Sequence, residues 1–184
     1  ADDNAFADGA FADPTNIVNP FVMEPTGVMT VKFDNIRYET RGGDTGSVGS
    51  IPVGSVLEVF VDEQNPSWPL WDCCGGSTPT VELDDEVHGN VAQFVVGAQS
   101  TVNGFISRAE NTNIPTPYDA SAFAGTGTLS FDMKVVTAPN NTDSTWMLVV
   151  ESDFASSSTG DYAITNSNEG QAPVTGEWQT YTFD

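Results

Sequence analysis

The sequence predicts an all-β protein, an antiparallel β-sandwich of the jelly-roll kind, and three observations carry that expectation. Short runs of alternating apolar and polar residues recur along the chain. Pieces rich in Gly, Pro, Asn, Asp and Ser separate them, at the spacing of a sandwich. No stretch keeps a helical apolar period beyond two turns.

In chain order, residues 1–14 are small and acidic, with an Ala-Phe-Ala-Asp phrase at 5–8 repeated at 10–13. Residues 16–23 read as a short strand in which Pro20, lacking an N–H, marks an edge or a bulge. Residues 28–39 make a clearer strand. Met29, Val31 and Phe33 share one face, and the apolar phase then shifts to Ile36 and Tyr38, so a β-bulge is expected at Asp34–Asn35. Residues 40–54, dense in Gly, Ser and Thr without period, read as a linker, giving a division into 1–40, a linker at 41–56 and a body at 57–184. Leu57, Val59 and Val61 alternate as an inward strand. Further strands are expected at 91–96, 128–136, 146–151 and 177–184, with turns at 84–90, 109–117, 138–144 and 156–160.

Between 68 and 76 stands the densest stretch of the chain: Trp68, Pro69, Leu70, Trp71, Asp72, Cys73, Cys74 and two glycines. Such a composition excludes a helix or a central strand and reads as an ordered aromatic loop. Adjacent cysteines can be reduced, joined in a strained vicinal disulfide, or paired with another chain. The acidity and the abundance of Thr, Ser and Asn favour an oxidising, extracellular setting and a Cys73–Cys74 ring.

With 26 Asp+Glu against 5 Lys+Arg, the net charge of −21 excludes nucleic acid as a partner and disfavours anionic membranes. It suits high-salt water or calcium. No apolar run approaches a membrane span, and no signal peptide is present; one could have been removed, or the chain could be part of something longer.

For chemistry, the aromatic loop suggests a sugar platform. Trp68, Trp71 and Tyr118 would offer flat faces to pyranose C–H groups, with Asp72 and Arg108 as polar partners. The alternative is that Trp68 and Trp71 plug one end of the sandwich. Trp146 and Trp178 lie in alternating strands and read as core. Asp84, Asp85 and Glu86 read as a solvated acidic turn, since neighbours in one turn do not oppose each other across a cleft. His88 is the only histidine, which excludes multi-histidine metal sites within one chain; it reads as the anchor of a turn before Gly89. The chain is therefore not expected to be an enzyme.

Several phrases together carry a family resemblance: Val61-Asp62 before the aromatic loop, the loop WPLWDCCGG at 68–76, His88-Gly89, LSFDMKV at 129–135, WMLVVE at 146–151 and GEWQTYTF at 176–183. In this order they resemble a galactose-binding-like, jelly-roll carbohydrate-binding domain, that of the C-terminal domain of ExoP-type exo-β-glucanases from marine bacteria. In that family the domain continues past the last phrase into strands that close on an apolar–Asp–Asn–Ile/Val sequence. Here the closing phrase resembles residues 16–38, at the opposite end. The resemblance thus implies a circular permutation, or a unit cut from a tandem repeat, in which the 1–40 strands complete the sandwich of the same or a neighbouring chain. It implies a secreted or cell-surface, non-catalytic module that binds β-glucan or a related marine polysaccharide through the Trp68/Trp71/Cys73–Cys74 loop. A structural calcium is implied at Asp34, Asp62 and Glu63. The alternative is a subunit of an extracellular fibre or filament, assembled from copies of itself by strand complementation.

Overall fold

The computed structural model describes residues 13–40, 56–73, 77–99, 102–106, 117–125, 127–143, 145–152 and 158–184. Twelve strands run through them in chain order: β1 (Ile17–Met23), β2 (Met29–Thr40), β3 (Val56–Val61), β4 (Glu63–Gln64), β5 (Leu70–Cys73), β6 (Ser77–Leu83), β7 (Asn90–Val96), β8 (Val102–Phe105), β9 (Gly127–Thr137), β10 (Met147–Ser152), β11 (Ser158–Ala163) and β12 (Trp178–Phe183). Among the described residues there is no α-helix. The strands form two antiparallel sheets packed face to face as a β-sandwich. Sheet A has the order β11-β10-β1-β8-β5. Sheet B runs β12-β9-β2, and β2 then pairs with both β3 and β7.

The core lies between the sheets and is built on aromatic rings. Phe21 of sheet A meets Phe33 and Phe131 of sheet B edge to face, with centroids 5.1 and 4.9 Å apart. The period-two pattern of the sequence accounts for this directly. In β9, Leu129, Phe131, Met133 and Val135 are all buried, while the residues between them point outward.

The bulge expected at Asp34–Asn35 is present and has an architectural role. The pairing of β2 with β9 shifts register between Asp34 and Arg37, and Asn35 takes a left-handed φ of 52°. Before the bulge β2 pairs with β7 through residues 29–33; after it, with β3 through residues 36–39. One long strand thus serves two neighbours on one side.

Of the two places expected for the strand at 16–23, an edge or a bulge, the structure shows the irregular ladder and not the edge. β1 lies inside sheet A, between β10 and β8. Pro20 is tolerated because the register shifts on both sides of Asn19, so its missing N–H falls at an irregular ladder position. Its carbonyl accepts a hydrogen bond from the buried Tyr38 hydroxyl at 2.5 Å. Both β1 and β2 therefore complete sheets of their own chain.

The aromatic stretch is also more regular than a loop. Leu70–Cys73 is an edge strand of sheet A, and β6 begins in sheet B at Ser77. Pairing further extends order into pieces whose composition argued against it: β6 contains Pro79, β8 contains Gly104, and β11 covers part of the expected turn at 156–160. A Cβ on Gly104 would lie 2.7 Å from the Val22 Cα and closer still to the Phe21 carbonyl, so glycine is what lets β8 approach β1. Of the linker expected at 41–56, residues 41–55 lie outside the described residues, and β3 begins at Val56.

Candidate functional site

The outward face of sheet B carries an ordered polar array, produced by strand alternation. Met29, Val31 and Phe33 point inward from β2, so Lys32 and Asp34 point outward. The same holds for Asp132 and Lys134 of β9, and for Trp178 and Thr180 of β12. Register then sets them side by side. Lys32, Lys134 and Trp178 make one row, and Asp34, Asp132 and Thr180 the next.

The connection from β6 to β7 folds over this face. Asp84 and Gly89 close it through an N–H to carbonyl bond of 2.9 Å, and Gly89 in turn donates to the Asp85 carbonyl. The Asp85 carboxylate accepts the amides of Val87 and His88 at 2.9 and 2.8 Å. Gly89 has φ +58°, and a Cβ there would strike the Asp62 carboxylate.

Asp84 is not a solvated turn residue. Its carboxylate takes Lys32 Nζ on Oδ1, and Lys134 Nζ at 3.1 Å and Trp178 Nε1 at 3.0 Å on Oδ2. Burial works against its ionisation, but Lys32, Trp178 and Lys134 outweigh it and hold its pKa down at about 2. Trp178, expected in the core, stands on the outer face instead, with the Lys134 ammonium 5.6 Å from its ring centroid.

His88 follows on the same turn and stacks on Trp178, with ring centroids 4.0 Å apart and planes 21° from parallel. Its Nδ1 is 3.3 Å from Asp34 Oδ2 and 3.9 Å from Asp132 Oδ2. Asn35 Nδ2 donates to these two oxygens at 3.1 and 2.8 Å, and Thr180 Oγ1 donates to Asp132 Oδ1 at 2.5 Å. Asp34 is only 2% exposed, and no side chain donates to its Oδ1. Burial pushes its carboxyl above the usual range, while the Asn35 amide, His88 and the Asp62 amide pull the other way. Among the described residues, Asp34, His88 and Asp132 are the one group of carboxylate and imidazole donors close enough to share an ion.

Of the calcium set expected at Asp34, Asp62 and Glu63, Asp34 belongs to this group, and Asp62 reaches it through its backbone amide. Asp62 and Glu63 are exposed, and Asp62 directs its carboxylate toward Gly89.

The sugar-platform residues are divided between core and surface. Trp68 is 3% exposed, belongs to the core cluster and meets Tyr118 edge-on at 5.6 Å. It presents no face to solvent, so its place is that of the plug. Tyr118 is half-buried against the same core and bridges to Ile17. Trp71 differs: Leu70 packs against the core, so alternation sends Trp71 to the outer face of sheet A, opposite Gly104. Asp72 is half-buried and pairs in register with Asn103. Arg108, Cys74 and the Cys73 side chain, and with them the expected disulfide ring, lie outside the described residues.

Asn35, Asp132, Lys32, Lys134 and Thr180 were absent from the expected sites. The signal for them was faint: polar residues at alternate positions of strands also fit an ordinary solvated face, and only register brings them together. No protein-family model matches the chain, and neither a curated protein nor a solved structure matches it.

Proposed function

We propose that the chain is a non-catalytic, extracellular carbohydrate-binding module for β-glucan or a related polysaccharide, with Trp71 as the stacking residue. The observation that carries this reading is the placement of Trp71. It stands half-buried on the outer face of an edge strand, and its cross-strand neighbour on that face is Gly104, which has no side chain to cover the indole. A flat ring held by strand geometry with a glycine opposite it suits the apolar face of a pyranose. Buried Trp68 and half-buried Tyr118 pack on the core beneath the segment. The acidic surface is compatible with a neutral glycan and with secretion into salty water.

The fibre reading has less behind it. Strand complementation would require extracting β1 and β2 from interior positions in both sheets, whereas each already has partners on both sides in its own chain.

Titration with laminarin-type β-glucan, followed by tryptophan fluorescence, tests the binding reading. Saturable quenching is expected, absent in Trp71→Ala and retained in Trp178→Phe. A flat response across a panel of soluble β-glucans refutes it.

A further inference from the structure

On the opposite sheet from Trp71, and independently of the glycan reading, we propose that Asp34, His88 and Asp132 form a binding site for a borderline-soft divalent ion of the zinc class.

Geometry is the first support. In a tetrahedral site with bonds of about 2.0–2.1 Å, neighbouring donors stand about 3.3 Å apart. His88 Nδ1 lies 3.3 Å from Asp34 Oδ2 and 3.9 Å from Asp132 Oδ2, on three elements held by independent means: the β2 bulge, the β9 ladder and the Asp85-capped turn. The small adjustment needed is within reach of His88, whose turn joins two strands, whereas the carboxylates sit on ladders.

Charge is the second. Two carboxylates face one imidazole, and the nearby lysines, Lys32 and Lys134, are both engaged by Asp84. The neutral Asn35 amide donates to both Oδ2 atoms. Buried carboxylates are normally paired or metal-bound, and an unpartnered buried oxygen is costly. Asp34 is such a carboxylate, 98% removed from solvent, and no side chain donates to its Oδ1. A cation on the Oδ2 side neutralises the pair and gives Asp34 the option of chelating through both oxygens.

The donor set decides the ion. Calcium takes six to eight oxygens, which two carboxylates do not supply, and it gains little from imidazole nitrogen. Zinc, and its neighbours cobalt and nickel, accept a nitrogen and two carboxylates with water in the open position. The surroundings are those of a built site. Thr180 orients Asp132, and Trp178 holds the imidazole plane by stacking, the kind of outer support that fixes metal ligands.

The test uses the whole chain, freed of metal by chelator and with Cys73 and Cys74 alkylated so that thiolates are silent. Zn²⁺ is titrated by calorimetry in excess Ca²⁺. One Zn²⁺ per chain is expected, with affinity lowered at least about tenfold in His88→Ala and in Asp132→Asn. Because the chain has one histidine, bound Zn²⁺ must also shift a single imidazole resonance and protect it from acylation by diethyl pyrocarbonate; this readout needs no variant to fold. Absence of saturable binding, displacement by Ca²⁺, or a His88 resonance that ignores Zn²⁺ overturns the proposal.

Discussion

Asp84→Asn isolates the charge that ties the β6–β7 connection to the outer face of sheet B. The substitution keeps shape and leaves an oxygen for the Trp178 N–H, but removes the negative charge shared by Lys32 and Lys134. Those lysines are directly opposite in the β2–β9 register, where like charges repel. The pKa gives the magnitude. A fall from 3.8 to about 2 is a little under two pH units, at 1.36 kcal/mol per unit about 2–3 kcal/mol. Removing one partner of a fully buried pair costs about 3–5 kcal/mol. The lysine side chains are 12% and 23% exposed and can turn to water, which favours the lower figure. Because the folded pKa is depressed, the contribution is complete above pH 3.8 and is lost as pH falls through about 2. Urea denaturation at neutral pH should therefore place Asp84→Asn about 2–3 kcal/mol below the parent, with Glu86→Gln on the exposed side of the same turn unchanged. The gap should close as the pH is lowered toward 2. A variant equal to the parent at pH 7, or a deficit that persists unchanged in acid, refutes the reasoning.

Three further outcomes are expected from the same kind of measurement. Gly104→Ala pushes a methyl into the backbone of β1 and should destabilise by about 2–3 kcal/mol, as overpacking does; a neutral result would mean that β8 does not lie so close. Asn35→Ala loses both carboxylate bonds and forces a methyl side chain into left-handed backbone, so it should be less stable than Asn35→Gly by about 1 kcal/mol, and equal stabilities would remove the strain argument. Trp68→Ala leaves a core cavity and should cost about 3–5 kcal/mol, whereas Trp71→Ala should cost much less; the reverse order would exchange the plug and the platform.

Much of the architecture was legible because it rests on period two. The inward faces of β2 and β9 follow from alternation alone, and the bulge at Asp34–Asn35 was visible as a single break in phase. What alternation does not encode is register. Nothing along the chain says that Lys32 faces Lys134 or that Asp34 faces Asp132, because the partners are about a hundred residues apart and many alignments keep the apolar faces together. For the same reason Asp84 read as a solvated acid, and Trp178 as core, until the turn was seen to fold back over them. Weak strands such as β6, β8 and β11 escaped detection because their order comes from neighbours rather than from their own composition.

By itself, then, the sequence determined the class of fold, the apolar layers and the positions where backbone had to bend. It also determined a strongly acidic chain, with a net charge of −21, since that follows from composition alone. Tertiary structure decided which of two tryptophans in one short stretch is buried, because Trp68 lies in the turn before the edge strand and packs on the core, while alternation after Leu70 turns Trp71 outward. It also decided that the Asp34 carboxylate shares its place with the side chains of His88 and Asp132, and not with those of Asp62 and Glu63. Sequence proximity made the latter set plausible, but side chains converge only where strand register and a capped turn bring their atoms within bonding reach.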